Sequence, residues 1–98
     1  MHISITEDNI EEGAPGEERR CAVALNLRSL VLPDTFLEVH ADKVVIYESY
    51  ESRKRIFECA LPEVAKEFIR EFDRVDCRGS NLPEPVEFDL HLPENYLR

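Results

Sequence analysis

A single apolar stripe in the second half of the 98-residue chain constrains its fold more than any other sequence feature. The stripe follows the period of an α-helix, and Pro62 fits the first helical position, where its missing amide hydrogen costs nothing. Its members are Leu61, Val64, Ala65, Phe68, Ile69, Phe72 and Val75. Charged residues fill the opposite face. The pattern therefore predicts a helix that buries one face against a larger layer of the protein.

The first third of the chain predicts one strand and two helices. Alternation over residues 1–5 predicts a short strand, and Thr6 is a typical N-cap for a brief helix after it. A second helix is predicted to begin at Glu17 or Glu18 and to end at Pro33. Because its apolar residues surround most of the axis, we expect this helix to be central and covered on most sides.

The remaining segments predict strands. The residues from Phe36 to Leu61 form apolar runs around a turn at Ala41-Asp42, which favours a three-stranded meander. The segment Val86–Leu92 alternates apolar and polar residues, as a half-buried strand does. Pro85 and Pro93 flank it and exclude a long central ladder, so we expect it near a sheet edge.

Together these elements predict an α+β fold in a single domain over residues 1–98. We expect an antiparallel sheet of four to five strands with two main helices packed on one face. A loop around Gly79 is expected before the last strand. No apolar run approaches the roughly 18 residues that a membrane span requires. Because a chain this short buries a limited share of its surface, dimerisation through the last strand is a further expectation.

The cysteines predict free thiols in a reducing cytoplasm. Cys21, Cys59 and Cys77 are odd in number and widely spaced, which argues against a disulfide framework. They form no Cys-x-x-Cys pair, and the histidines add no metal-ligand spacing. Neither a metal nor a cofactor is therefore predicted.

One cysteine supports an alternative, enzymatic function. Cys21 follows Arg19 and Arg20 near the start of a predicted helix, and both features lower the pKa of a thiol. A small thiol-dependent enzyme would use Cys21 with His40 or His91 as its base. Without a recognisable catalytic motif, no catalytic residue is assigned.

The net charge of −9, from 21 acidic against 12 basic residues, constrains the kind of partner. It opposes binding to a phosphate backbone, because nucleic-acid affinity comes largely from released counterions. Arg53-Lys54-Arg55 is the one compact basic segment, so nucleic acid is not the expected partner. A protein with a basic surface is expected instead, since opposite fields speed encounter.

The acidic residues concentrate near both ends of the sequence, which predicts where such a partner binds. The candidate partner-binding residues are Glu7, Asp8, Glu11, Glu12, Glu17, Glu18, Glu84, Glu87 and Asp89. We expect them to make the protein a small, non-catalytic protein-binding module. A hydrated surface that serves only solubility is one alternative, and a structural or assembly role is another.

Two segments resemble short uncharacterised proteins encoded by phages and bacterial genomes. The residues that carry the resemblance are Ile5-Thr6, Ile10, Gly13, Gly16, Cys21 and Val23-Ala24-Leu25 in the first segment, and Leu61-Pro62-Glu63, Phe68-Ile69 and Phe72-Asp73 in the second. The resemblance implies a bacterial or phage-infected cytoplasm and carries over no activity or residue role. It gives the prediction a specific form, in which a phage accessory or inhibitory protein presents acidic surface to a basic host site.

Overall fold

The computed structural model describes residues 1–74 and 83–98 and confirms the α+β class. Its elements in these ranges are β1 (His2–Ser4), α1 (Glu7–Glu12), α2 (Ala22–Leu30), β2 (Phe36–Val39), β3 (Lys43–Tyr47), β4 (Arg55–Ala60), α3 (Glu63–Asp73), β5 (Glu87–Asp89) and a 3-10 turn (Glu94–Tyr96). The predicted loop around Gly79, together with Val75 and Cys77, lies outside the described residues. No helix in the described ranges is long and apolar enough to cross a membrane.

The strands form two antiparallel sheets, so the prediction of one sheet with four to five strands and two helices on one face is wrong. One sheet consists of β1 and β5, with Ile3 opposite Phe88. The other consists of β2, β3 and β4 in that order. Alternation along a strand indicates which face is buried but not which strand lies beside it. The alternation of apolar and polar residues therefore could not predict that β1 pairs with β5.

The predicted three-stranded meander is confirmed by β2, β3 and β4. The first hairpin turns at Ala41-Asp42, and Val39 lies opposite Val44. Leu37 pairs with Ile46 on the face that joins the hydrophobic core. Glu38, the next residue along β2, faces the other way because side chains alternate along a strand. This face of the meander carries the polar cluster described below.

The short helix α1 begins as predicted and ends where three helices come close together. The Thr6 hydroxyl accepts a hydrogen bond from the Asn9 amide at 3.1 Å, and the Asn9 side chain accepts one from the Thr6 amide at 3.0 Å. This reciprocal pair is a capping box. At Gly13, which follows α1, an added Cβ would lie 2.7 Å from the Ala22 nitrogen and 3.0 Å from the Phe72 ring. The approach of α2 and α3 therefore excludes a side chain at this position.

The helix α2 starts at Ala22 rather than at Glu17 or Glu18, so the predicted start is wrong. The Cys21 amide donates to the Glu17 carbonyl at 2.8 Å within a series of turns. The Val39 amide donates to the Glu18 carbonyl at 2.8 Å, which ties these turns to the edge of β2. Four of the nine residues of α2 are buried, and the helix contacts α1, β1 and β2, which agrees with the predicted central position.

The helix α3 buries the predicted stripe except at its margin. Ala65, Phe68, Ile69 and Phe72 are buried, whereas Val64 remains 49% exposed. Val64 precedes Ala65 by one residue and therefore lies about 100° around the helix from it. The prediction of a buried Val64 is wrong for this reason.

Candidate functional site

Acidic residues from α1 and from the segment before β5 meet around one hollow. The hollow has a volume of about 350 Å³ and is lined by Glu7, Ile10, Glu11, Pro83, Glu84 and Pro85, and we call it the acidic hollow. Its three glutamates are exposed, whereas Ile10 and Pro83 are buried. Carboxylates therefore surround an apolar floor. Asp8 and Glu12 are exposed on the same helix but do not line the hollow.

Glu87 and Asp89 have partners within the protein. Both project from β5 and are exposed, and each lies 3.3 Å from a ring nitrogen of His2 on the paired strand β1. Ser4 also donates to Glu87 at 3.0 Å. The hydrogen bonds to Glu87 and Asp89 raise the pKa of His2, and those from His2 and Ser4 lower the pKa of Glu87. Neither residue lines the acidic hollow.

Glu17 and Glu18 lie elsewhere, in the turns before α2, and are exposed. Both line a separate groove together with Arg19, Arg20 and other basic residues. The structure thus brings three of the nine candidate acidic residues into the acidic hollow and distributes the other six.

A residue that the sequence prediction missed lies beside Glu18. Of the residues that the structure describes, Glu38 is the only charged one that is buried, with 1% of its surface exposed. One of its oxygens, Oε2, accepts hydrogen bonds from Arg53 Nη1 at 2.7 Å and from Arg19 Nε at 3.1 Å. Burial alone raises the pKa of the carboxyl, but the bonds from Arg53 and Arg19 outweigh it, so the pKa lies below the usual value. Glu38 is therefore ionised at neutral pH.

Two tyrosines hold the arginines of this cluster in place. The guanidinium of Arg19 lies 3.7 Å from the ring centre of Tyr50, and that of Arg53 lies 4.5 Å from the ring centre of Tyr47. Stacking of this kind stabilises a guanidinium electrostatically. The Tyr50 hydroxyl bonds to the backbone of Leu37 on β2, which fixes its ring. The arginines are therefore oriented before any ligand arrives.

The second oxygen of Glu38 faces His40. Glu38 Oε1 and His40 Nε2 lie 3.5 Å apart, and neither atom has a hydrogen-bond partner among the described residues. Glu18 approaches the other ring nitrogen of His40 at 3.4 Å, so these three residues offer the donor atoms of a cation site. Arg19 and Arg53 already supply two positive charges to Glu38, however, and a divalent cation would add two more. We therefore interpret the three residues as a polar network.

The basic segment Arg53-Lys54-Arg55 does not form a patch. Arg53 bonds to Glu38, Lys54 lies 3.7 Å from Glu48, and Arg55 lies 3.1 Å from Glu58. Each basic residue thus points to a different carboxylate.

Cys21 is the N-cap of α2 and is 5% exposed. It lines a hollow of about 420 Å³ together with His40, but no hydrogen bond joins the two side chains among the described residues. Burial also raises the pKa of the Cys21 thiol more than the surrounding backbone hydrogen bonds lower it. A thiol with a raised pKa is protonated at neutral pH and is a poor nucleophile.

No local signal identified Glu38, since its ionic partners lie 19 and 15 residues away in the sequence. A lone glutamate between Leu37 and Val39 predicts only a solvent-facing position in a strand.

Comparisons of the chain with family models, curated proteins and solved structures find no match.

Proposed function

We propose that the protein is a small binding module whose acidic hollow receives a basic side chain of a partner protein. The observation that carries this proposal is the convergence of Glu7 and Glu11 from α1 with Glu84 from the segment before β5. Two acidic segments that are remote in the sequence surround one hollow. A surface that served only solubility would not need this convergence.

The shape and polarity of the hollow match a lysine or arginine side chain. Such a side chain has an apolar stem and a charged head, and it prefers to bury the stem while the head meets polar groups. The floor of Ile10 and Pro83 suits the stem, and the glutamates suit the head. An arginine gains most, because a carboxylate accepts two parallel hydrogen bonds from its guanidinium.

The overall charge supports the same kind of partner. A protein with a net charge of −9 attracts a basic surface over about 8 Å at physiological salt, which speeds encounter. The resemblance to small phage and bacterial proteins makes a basic site on a host protein the partner that we propose. An accessory or inhibitory role follows if the hollow covers a site that the host protein uses.

Dimerisation through β5 remains a separate prediction. In this structure β5 pairs with β1 and contacts α3. Sedimentation velocity at several protein concentrations measures it directly, since a dimer has twice the mass.

The test compares three proteins that differ in where charge is removed. In the first variant Glu7, Glu11 and Glu84 are changed to Gln. In the matched control Glu51, Glu71 and Glu94, three exposed glutamates outside the hollow, are changed to Gln. Both variants lose three negative charges, so any difference between them reports position rather than net charge. A tetra-arginine peptide is titrated into each protein by calorimetry, at about 50 and 300 mM salt.

We expect the wild type and the control to bind the peptide with similar affinity and the hollow variant to bind about tenfold or more weakly. Binding is expected to weaken at the higher salt concentration. Host proteins retained by the wild type and the control, but lost by the hollow variant, would extend the result to a physiological partner. Equal binding by all three proteins, or binding that salt does not change, contradicts the proposal.

A further inference from the structure

A second groove, beside Glu38, carries the opposite charge from the acidic hollow. It has a volume of about 710 Å³, and its lining includes Arg19, Arg20, Arg28 and Arg53. The acidic residues in the lining are Glu17, Glu18 and Glu38, so the lining has a net charge of +1. We call it the arginine groove. In a protein with a net charge of −9, a positive groove is a local exception.

Two of the four arginines are fixed and still have donors to offer. Arg19 uses Nε to bond to Glu38, which leaves its terminal amino groups without a partner among the described residues. Arg53 uses Nη1 for Glu38 and Nη2 for the Tyr47 hydroxyl at 3.3 Å. Because Glu38 is buried and ionised, it holds both guanidinium groups from the wall of the groove. A site organised in advance loses less entropy when a ligand binds.

The other two arginines lack a carboxylate partner within residues 1–74 and 83–98. Arg28 donates to the Tyr50 hydroxyl at 3.0 Å, and the Arg20 side chain has no hydrogen bond or ion pair in these ranges. Glu17 and Glu18 line the same groove and could pair with them. Since these pairs do not form, the groove presents guanidinium donors to solvent rather than neutralising them.

We infer that the arginine groove binds a phosphate monoester. A guanidinium presents its donors in a planar fork that matches two phosphate oxygens. The volume of the groove falls within the range of about 300–1,000 Å³ that is usual for small-molecule sites. A phosphate monoester brings nearly two negative charges and three acceptor oxygens, so it accepts hydrogen bonds from more than one of these guanidinium groups at once.

This inference is independent of the proposed function, because the acidic hollow and the arginine groove share no residue. A partner protein with a basic side chain occupies one, and a phosphorylated small molecule occupies the other.

The experiment titrates inorganic phosphate and glycerol phosphate into the wild-type protein and follows amide signals by two-dimensional NMR. Ionic strength is held constant with sodium chloride, and sulfate serves as a comparison anion. The variants are Arg20→Gln and Arg28→Gln, whose side chains are exposed and whose loss leaves the bonds from Arg19 and Arg53 to Glu38 in place. Arg70→Gln is the matched control, because Arg70 is an exposed arginine that lies 3.4 Å from Glu63 and does not line the groove.

We expect saturable shifts at the amides of residues 16–20, 28, 38, 50 and 53, and about tenfold weaker binding in each groove variant. The control is expected to bind as the wild type does. Glycerol phosphate binding more tightly than inorganic phosphate would identify an ester as the ligand, and equal affinity would identify the phosphate group alone. The inference is wrong if both phosphates fail to bind at about 10 mM, if sulfate binds equally well, or if the groove variants match the control.

Discussion

At the scale of single residues, Glu38 combines burial with full ionisation. Its two arginine partners lower its pKa although burial opposes this. A carboxyl whose pKa is lower in the folded than in the unfolded state stabilises the fold fully above the unfolded value of about 4.3. That stabilisation disappears as the pH falls through the folded value. The sequence could not indicate this role, because alternation in β2 predicts a solvent-facing Glu38 and its partners come from other segments.

We therefore expect Glu38→Gln to lower the free energy of unfolding at pH 7 by about 1–3 kcal/mol, the usual contribution of hydrogen bonds to a charged group. The difference from the wild type should shrink as the pH falls below about 4, because a protonated Glu38 resembles glutamine. Urea denaturation between pH 7 and pH 3 measures both effects. Glu58→Gln is the control, since Glu58 is half exposed and its pairs with Lys43 and Arg55 contribute little. A difference that stays constant with pH contradicts this account.

At the scale of elements, the features that depend on residues close in sequence were predicted well. The features that depend on contacts between distant residues were not. The cap at Thr6, the stripe of α3 and the turn at Ala41-Asp42 are each set by residues close in sequence. The cap and the turn were confirmed, and the stripe was confirmed except at Val64 among the described residues. The start of α2 was misplaced because its preceding turns bond to the edge of β2. The acidic hollow was not predicted, for the same reason. Its acids were identified in the sequence, but their meeting depends on the pairing of β1 with β5.

The junction of the three helices at Gly13 gives a prediction at this scale. Gly13→Ala should destabilise the protein by about 2–3 kcal/mol, because the new methyl group would overlap the backbone of Asn9 and Ala22. Gly16→Ala is the comparison: Gly16 has a φ of 76° but open space around its Cβ position. It should cost about 1 kcal/mol through backbone strain alone. Thermal unfolding of both variants measures the difference. Equal stability of Gly13→Ala and the wild type would show that the helices can separate at low cost.

At the scale of the whole molecule, negative charge dominates, with 21 acidic against 12 basic residues. The acidic hollow and the arginine groove share no lining residue. Self-repulsion in a protein with a net charge of −9 destabilises the compact state, and salt screens it. The buried carboxylate of Glu38 is screened less than the exposed acids are. Added salt should therefore stabilise the protein.

We expect the melting temperature to rise by about 2–4 °C between 10 and 150 mM sodium chloride, which corresponds to roughly 0.5 kcal/mol in a domain of this size. Glu51→Lys makes the net charge two units less negative at an exposed position. It should raise the melting temperature at low salt and match the wild type at about 500 mM. Differential scanning calorimetry gives both values. A wild-type melting temperature that falls with added salt would mean that attractive ion pairs outweigh the repulsion.

The pairing of β1 with β5 has a consequence for how the chain reaches this structure. His2 and Asp89 come together across 87 residues, and closing a loop of that length costs about 4 kcal/mol of chain entropy from its length alone. On a ribosome, β1 must wait for β5, which is made 87 residues later. Until then Ile3 lacks its strand partner Phe88 and the Ile5 amide lacks the Val86 carbonyl, so the nascent chain is vulnerable to aggregation. Slow synthesis of the residues between β1 and β5 would lengthen this exposure.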